Sequence, residues 1–165
     1  MQRELLIIRH AKAEEIHIGQ DDFDRSLKKR GVRDAETMGE LLRDRQLAPD
    51  LICVSPAKRT SKTAEIIAKS FHYSKDSIIF ERNIYDADLH TLLQVVNFLP
   101  DSAKRVYLVG HNPGLTMLAD YLGDTSITFI PTCGIAYLGF DVESWGLISK
   151  GLGHLIWLET PKENI

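Results

Sequence analysis

Leu5-Leu6-Ile7-Ile8 is an apolar run too short for a helix, and it stops at Arg9-His10. Continuous apolar residues without polar alternation predict a strand buried on both faces, as in parallel sheets. Such a strand delivers its two terminal basic side chains to its carboxyl end. The pattern recurs. Leu51-Ile52-Cys53-Val54 leads into Ser55-Pro56-Ala57-Lys58-Arg59-Thr60, and Val106-Tyr107-Leu108-Val109 leads into Gly110-His111-Asn112-Pro113-Gly114. Open α/β sheets bind ligands outside the carboxyl ends of their strands. Two arginines and two histidines converging there make an expected site for a phosphoryl group.

The rest of the chain alternates in the way such a sheet requires. The first strand is expected over Glu4 to Arg9, and an acidic, irregular stretch from Ala11 to Arg25 follows. Its turn-forming Gly19, Gln20, Asp21 and Asp22 and its length predict a loop lining the site. Helix one is expected from Lys28 to Arg45, with Val32, Ala35, Met38, Gly39 and Leu42 on its apolar face. Helix two follows the Ser55-Pro56 turn and buries Ala64, Ile67, Ala68 and Phe71, leaving Lys58, Lys62 and Lys69 wet. A short strand over Ile78 to Phe80, a helix from Leu89 to Phe98 and a strand from Arg105 to Val109 come next. A helix opening at Gly114 and strands at Ile135 to Phe140 and His154 to Leu158 complete the series. This order predicts a three-layer α/β/α sandwich around a mostly parallel sheet, with residues 1–165 as a single domain.

Composition excludes several classes. A net charge of -3 argues against a nucleic-acid binder that relies on bulk electrostatics. The apolar start is too short for a membrane span or a signal-peptide core, so a cytoplasmic protein without membrane attachment is expected. Two cysteines, Cys53 and Cys133, make no disulfide framework and fit a reducing compartment. The histidines outside the strand ends, His17, His72, His90 and His154, lack short metal-ligand spacing, so no metal or other cofactor is expected.

His10 is the candidate nucleophile. A neutral imidazole attacks phosphorus if one nitrogen is bare and aimed while the other N–H is held. Arg9 and Arg59 are the candidate clamp, because a guanidinium fork matches two phosphoryl oxygens and keeps its charge. Arg59 also falls near a helix N-terminus, which favours an anion. His111, taken as a cation, is expected to bind equatorial oxygens and stabilise transition-state charge. Singly, each residue has a plainer reading. A strand-end histidine is often structural, Arg59 alone is a helix-surface charge, and Ser55 and Thr60 cap and pack. Arg9 is harder to set aside, since an unpaired arginine beside a core strand is costly. Coincidence at three strand ends favours a site.

Arg9-His10 resembles the Arg-His-Gly signature of the histidine phosphatase superfamily, which has the phosphoglycerate mutase-like fold. Ser55-Pro56-Ala57-Lys58-Arg59-Thr60 is similar to its second arginine motif, and Gly110-His111-Asn112-Pro113 to its second histidine motif. The resemblance implies a phosphohistidine intermediate on His10, with Arg9, Arg59 and His111 lining the phosphate pocket. It is nearest to the small SixA-type phosphohistidine phosphatases. The mutases and larger phosphatases carry a capping insertion with a glutamate acid, whereas Glu81 to Lys104 here holds one short helix. An open site suited to phosphohistidine on a protein is therefore implied. The chain departs from the signature at Ala11, which replaces its glycine. Glu81, Asp86 and Asp88 are the nearby carboxylates considered as a general acid, and Tyr85 reads equally as core or site rim. The alternatives are a small-molecule phosphomonoester phosphatase of the same fold, a phosphate-binding module without chemistry, and a metal hydrolase.

Overall fold

The computed structural model describes residues 1–161 of the chain, so the expected domain of 1–165 extends past the described part. Strands β1 (Arg3–Arg9), β2 (Leu51–Val54), β3 (Ile79–Phe80), β4 (Arg105–Gly110), β5 (Ile135–Phe140) and β6 (His154–Glu159) form one sheet in the order β3-β2-β4-β1-β5-β6. β1 to β4 pair in parallel and β5 runs against both its neighbours. Helices α1 (Lys29–Asp44) and α2 (Lys58–Lys69) pack together, as do α3 (Leu89–Asn97) and α4 (Gly114–Leu122).

Side-chain alternation along the central strands builds a core on each face of the sheet. Leu5 and Ile7 of β1 and Val106 and Leu108 of β4 join the core under α3 and α4. Leu6 and Ile8 of β1 and Tyr107 and Val109 of β4 join the core that holds Ala35, Met38 and Leu42 of α1 and Ala64 and Ile67 of α2. These strands are apolar on both sides because both sides are covered. The expected sandwich and its strands are all present, with ends shifted by a residue or two. Among the described residues, no helix is long and apolar enough to cross a membrane.

Two glycines set close approaches that shape the site. A Cβ at Gly31 in α1 would fall 2.2 Å from the Lys12 carbonyl, so only glycine lets α1 press on the loop after β1. A Cβ at Gly114, the first residue of α4, would fall 2.5 Å from the Ala87 carbonyl. The missing side chain lets the segment carrying Tyr85 and Asp86 lie close against the start of α4.

Candidate active site

The sheet order makes β2, β4 and β1 neighbours, so their carboxyl ends lie side by side. Sheet hydrogen bonding also continues past the strand ends. His10 N–H donates to the Gly110 carbonyl at 3.1 Å, and Ser55 N–H to the Val109 carbonyl at 3.0 Å. The backbone at His10 and Ser55 is thereby tied into the sheet's hydrogen bonding. The rings of His10 and His111 come to lie with centroids 5.5 Å apart.

His10 is buried, and its Nδ1 lies 2.7 Å from the Ala11 carbonyl oxygen. A carbonyl only accepts, so Nδ1 carries the proton and Nε2 presents a lone pair. Burial, reinforced by the Arg59, Arg9 and Arg25 charges and opposed by the Ala11 carbonyl, pulls the His10 pKa down to about 4. The ring is neutral at neutral pH. Ala11 is fully buried, is not among the residues with positive φ, and donates its N–H to Thr63 Oγ1 at 3.0 Å. The methyl group that replaces the signature glycine is therefore accommodated without backbone strain.

His111 follows the last residue of β4, with Nε2 2.8 Å from Ser55 Oγ. Burial first, then the Arg59 charge and His10, lower its pKa to about 3. Burial and the surrounding positive charge thus disfavour a proton on His111 in the resting site, whereas the expected cation concerns the ring beside a phosphoryl group.

Arg59 lies in the first turn of α2, whose N-terminus has no side-chain cap. Its Nη1 donates to the Asp22 carbonyl at 2.8 Å and its Nη2 to the Asp22 carboxylate at 3.0 Å. Arg9 donates from Nη1 to the Ile130 carbonyl at 3.2 Å, and its guanidinium sits 5.4 Å from the Phe129 ring centroid. Among the described residues, buried side-chain polar atoms without a partner are Arg9 Nε, Arg59 Nε, His111 Nδ1 and Arg3 Nε. All but the last belong to this site. An unpaired buried polar group costs about 1–3 kcal/mol, and an oxyanion among these side chains would remove that cost.

Asp22 and Tyr85 complete the arrangement; sequence reasoning placed Asp22 only in a site-lining loop and left Tyr85 between core and site rim. Asp22 sits in the acidic loop that was expected to line the site. Tyr85 donates to its carboxylate at 2.7 Å and Arg25 at 3.1 Å. Burial acts to raise the Asp22 pKa, but the bonds from Tyr85 and Arg25, with the charge and bond of Arg59, outweigh it and hold the value at about 2. Tyr85 also sets its ring edge-on to His111, with centroids 5.4 Å apart. Asp22, Arg59, Tyr85, Asp86, His111 and Asn112 line a cavity of about 300 Å³.

The carboxylates considered as acids separate. Asp86 lies exposed on the rim of that cavity. Asp88 caps α3 by accepting from Thr91 N–H at 2.9 Å. Glu81 accepts from Asn83 N–H at 3.1 Å and lines a different groove, between β3 and α3. That groove is larger, about 800 Å³, but it is walled by Leu51, Ile79, Val95 and Phe98 and contains none of the converging basic residues. The smaller cavity, lined by Arg59 and His111 with His10 packed behind His111 and neither His10 nor Arg9 in its wall, is the candidate site. Among the described residues, no group of three or more His, Cys, Asp or Glu side chains is placed to hold a metal ion.

The chain and its fold have counterparts among known proteins. Residues 5–95 match the family model described as histidine phosphatase superfamily (branch 1). An uncharacterized protein of Mycobacterium tuberculosis is 29% identical over 166 residues, covering 94% of this chain and all of the relative. A candidate phosphohistidine phosphatase SixA from Agrobacterium tumefaciens superposes with a TM-score of 0.81 at 27% identity, over 98% of this chain and all of that one. A protein histidine phosphatase SixA solved with tungstate superposes at 0.83 with 20% identity, over 97% and 98% of the two chains, which shows the shared fold. The matched model spans β1, α1, β2, α2 and most of α3, and with them His10, Arg9 and Arg59: this chain belongs to the histidine phosphatase superfamily.

Proposed function

We propose that this protein is a phosphohistidine phosphatase that passes the phosphoryl group through His10. The observation carrying the reading is the His10–Ala11 hydrogen bond, which puts the proton on Nδ1 and leaves Nε2 bare in a buried ring that is neutral at neutral pH. The Nε2 lone pair forms a bond to phosphorus as the bond from phosphorus to the leaving group breaks, and the leaving atom keeps that electron pair. Water then attacks the phosphohistidine, the N–P bond breaks back to Nε2, and the water proton passes to phosphate or solvent. Arg9 and Arg59 hold the phosphoryl oxygens as charge moves onto them, joined by His111.

The substrate class follows from what the site cannot donate. Asp22, the carboxylate nearest the clamp, is held ionised at neutral pH, and Asp86 stands in solvent. An alkoxide leaving group needs a proton from an acid. An imidazole leaves as a far weaker base, with a conjugate-acid pKa of about 6.5, and needs little help. The SixA likeness supports the same reading, with residues 1–165 acting as one domain on a phosphorylated protein. The test is a rapid quench with labelled substrate. An acid-labile, base-stable phosphoenzyme is expected, absent in His10→Ala. Among substrates, kcat/KM should rank a phosphohistidine protein above an aryl phosphate and both above a sugar phosphate. A sugar phosphate ranking first would replace this reading with a small-molecule phosphatase.

A further inference from the structure

We propose that Ser55 is a positioning residue that fixes the tautomer of His111, so that His111 meets the phosphoryl group as a neutral Nδ1–H donor. The inference rests on the reading of this cavity as a phosphoryl-transfer site.

Ser55 is fully buried at the end of β2. Its Oγ lies 3.4 Å from Ala57 N–H, which only donates, and 2.8 Å from His111 Nε2. For a neutral ring, two proton arrangements satisfy the short contact. If Nε2 carried the proton and donated to Oγ, the Ser55 hydroxyl proton would have no acceptor. His111 Nδ1 would then be a buried lone pair with no donor. If the hydroxyl donates to Nε2 instead, Oγ still accepts from Ala57. The proton of His111 then resides on Nδ1. The second arrangement leaves one buried polar group for the anion to satisfy, and the first leaves two unmatched.

Nδ1 is also the ring nitrogen that remains. Nε2 is taken by Ser55, whereas Nδ1 is buried without a partner, like the Nε atoms of Arg9 and Arg59. The two histidines are thus the same neutral ring with the proton on the same atom, turned to opposite uses. At His10 a backbone carbonyl holds Nδ1–H and frees the Nε2 lone pair to attack. At His111 a hydroxyl holds the Nε2 lone pair and frees Nδ1–H to donate.

Long-range 1H–15N correlation spectra of histidine-labelled protein read each tautomer directly, with His111 assigned by its loss in His111→Gln. At neutral pH, both His10 and His111 are expected in the Nδ1–H form, with or without inorganic phosphate. In Ser55→Ala, His111 should lose the pure Nδ1–H signature while His10 keeps it. The turnover number should fall on the order of a hundredfold, as for loss of one preorganised donor. A wild-type His111 that carries its proton on Nε2, or is cationic, overturns the proposal, and so does an unchanged tautomer in Ser55→Ala. The wild-type spectrum decides without any variant. It also needs no turnover: failure to form a phosphoenzyme would refute the functional reading alone, and a phosphoenzyme beside an Nε2–H His111 would refute this inference alone.

Discussion

Two buried neutral histidines should make this fold unusually sensitive to mild acid, and their pKa values set the size of the effect. His10 falls to about 4 and His111 to about 3, while both titrate near 6.5 in the unfolded chain. Above that unfolded value neither state binds the proton, and the two rings do not change stability with pH. Below it the unfolded chain takes up protons that the folded site refuses. Stability is therefore lost as pH falls, until the folded values are passed. At about pH 5 the loss is about 2 kcal/mol for each ring, a large share of a net stability of about 5–15 kcal/mol. Asp22, held at about 2, does not titrate in this window. Urea unfolding of wild type and His111→Gln at about pH 7.5 and about pH 5 isolates the effect, because every other group is common to both. The variant should lose about 2 kcal/mol less than wild type between these conditions, and His10→Gln/His111→Gln about 4 kcal/mol less. Equal losses in wild type and variants would refute the claim that burial keeps these rings neutral.

Arg59→Ala should reduce kcat/KM on the order of a hundredfold and weaken vanadate inhibition, measured by steady-state kinetics with thermal unfolding as the control. Asp22→Ala frees the Arg59 guanidinium from its carboxylate, and a loss on the order of tenfold in kcat is expected from misplacement; unchanged kinetics would remove Asp22 from the site. Ala11→Gly should leave activity unaltered and lower stability by about 1 kcal/mol through the entropy of the unfolded chain, read from denaturant unfolding. Activity should survive exhaustive chelation, and a zinc or magnesium requirement would favour the metal-hydrolase alternative.

The sheet was legible because its central strands are buried on both faces, which leaves continuous apolar runs that end where the chain must turn. The ends of β1, β2 and β4 were therefore marked by the first polar residue after each run: Arg9, Ser55 and His111. Their convergence needed only the rule that ligands lie beyond the carboxyl ends of parallel strands. Asp22 was not legible. It stands in an irregular acidic stretch where Asp21, Asp22 and Asp24 look alike, and only the loop path, pinned by the Gly31–Lys12 approach, selects the one that reaches Arg59. Tyr85 stayed ambiguous for the same reason, since its hydroxyl finds Asp22 across 63 residues of sequence.

The protonation of His111 was the least legible feature of the site. A histidine beside a phosphate is easily taken as a cation, because pairing opposite charges is the simplest way to hold an anion. The site already contains Arg9 and Arg59, however, and a third positive group in the same buried volume would be repelled by the clamp it was meant to assist. The fold meets the need for another donor without another charge. It gives each ring one fixed hydrogen-bond partner, the Ala11 carbonyl for His10 and the Ser55 hydroxyl for His111. Residue type alone names the two rings. Which atom of each carries the proton depends on a neighbour that is one residue away for His10 and 56 residues away for His111. Nucleophile and donor are thus separated by their hydrogen-bond partners, at equal charge, which is why a sequence that displays both histidines still conceals the difference between them.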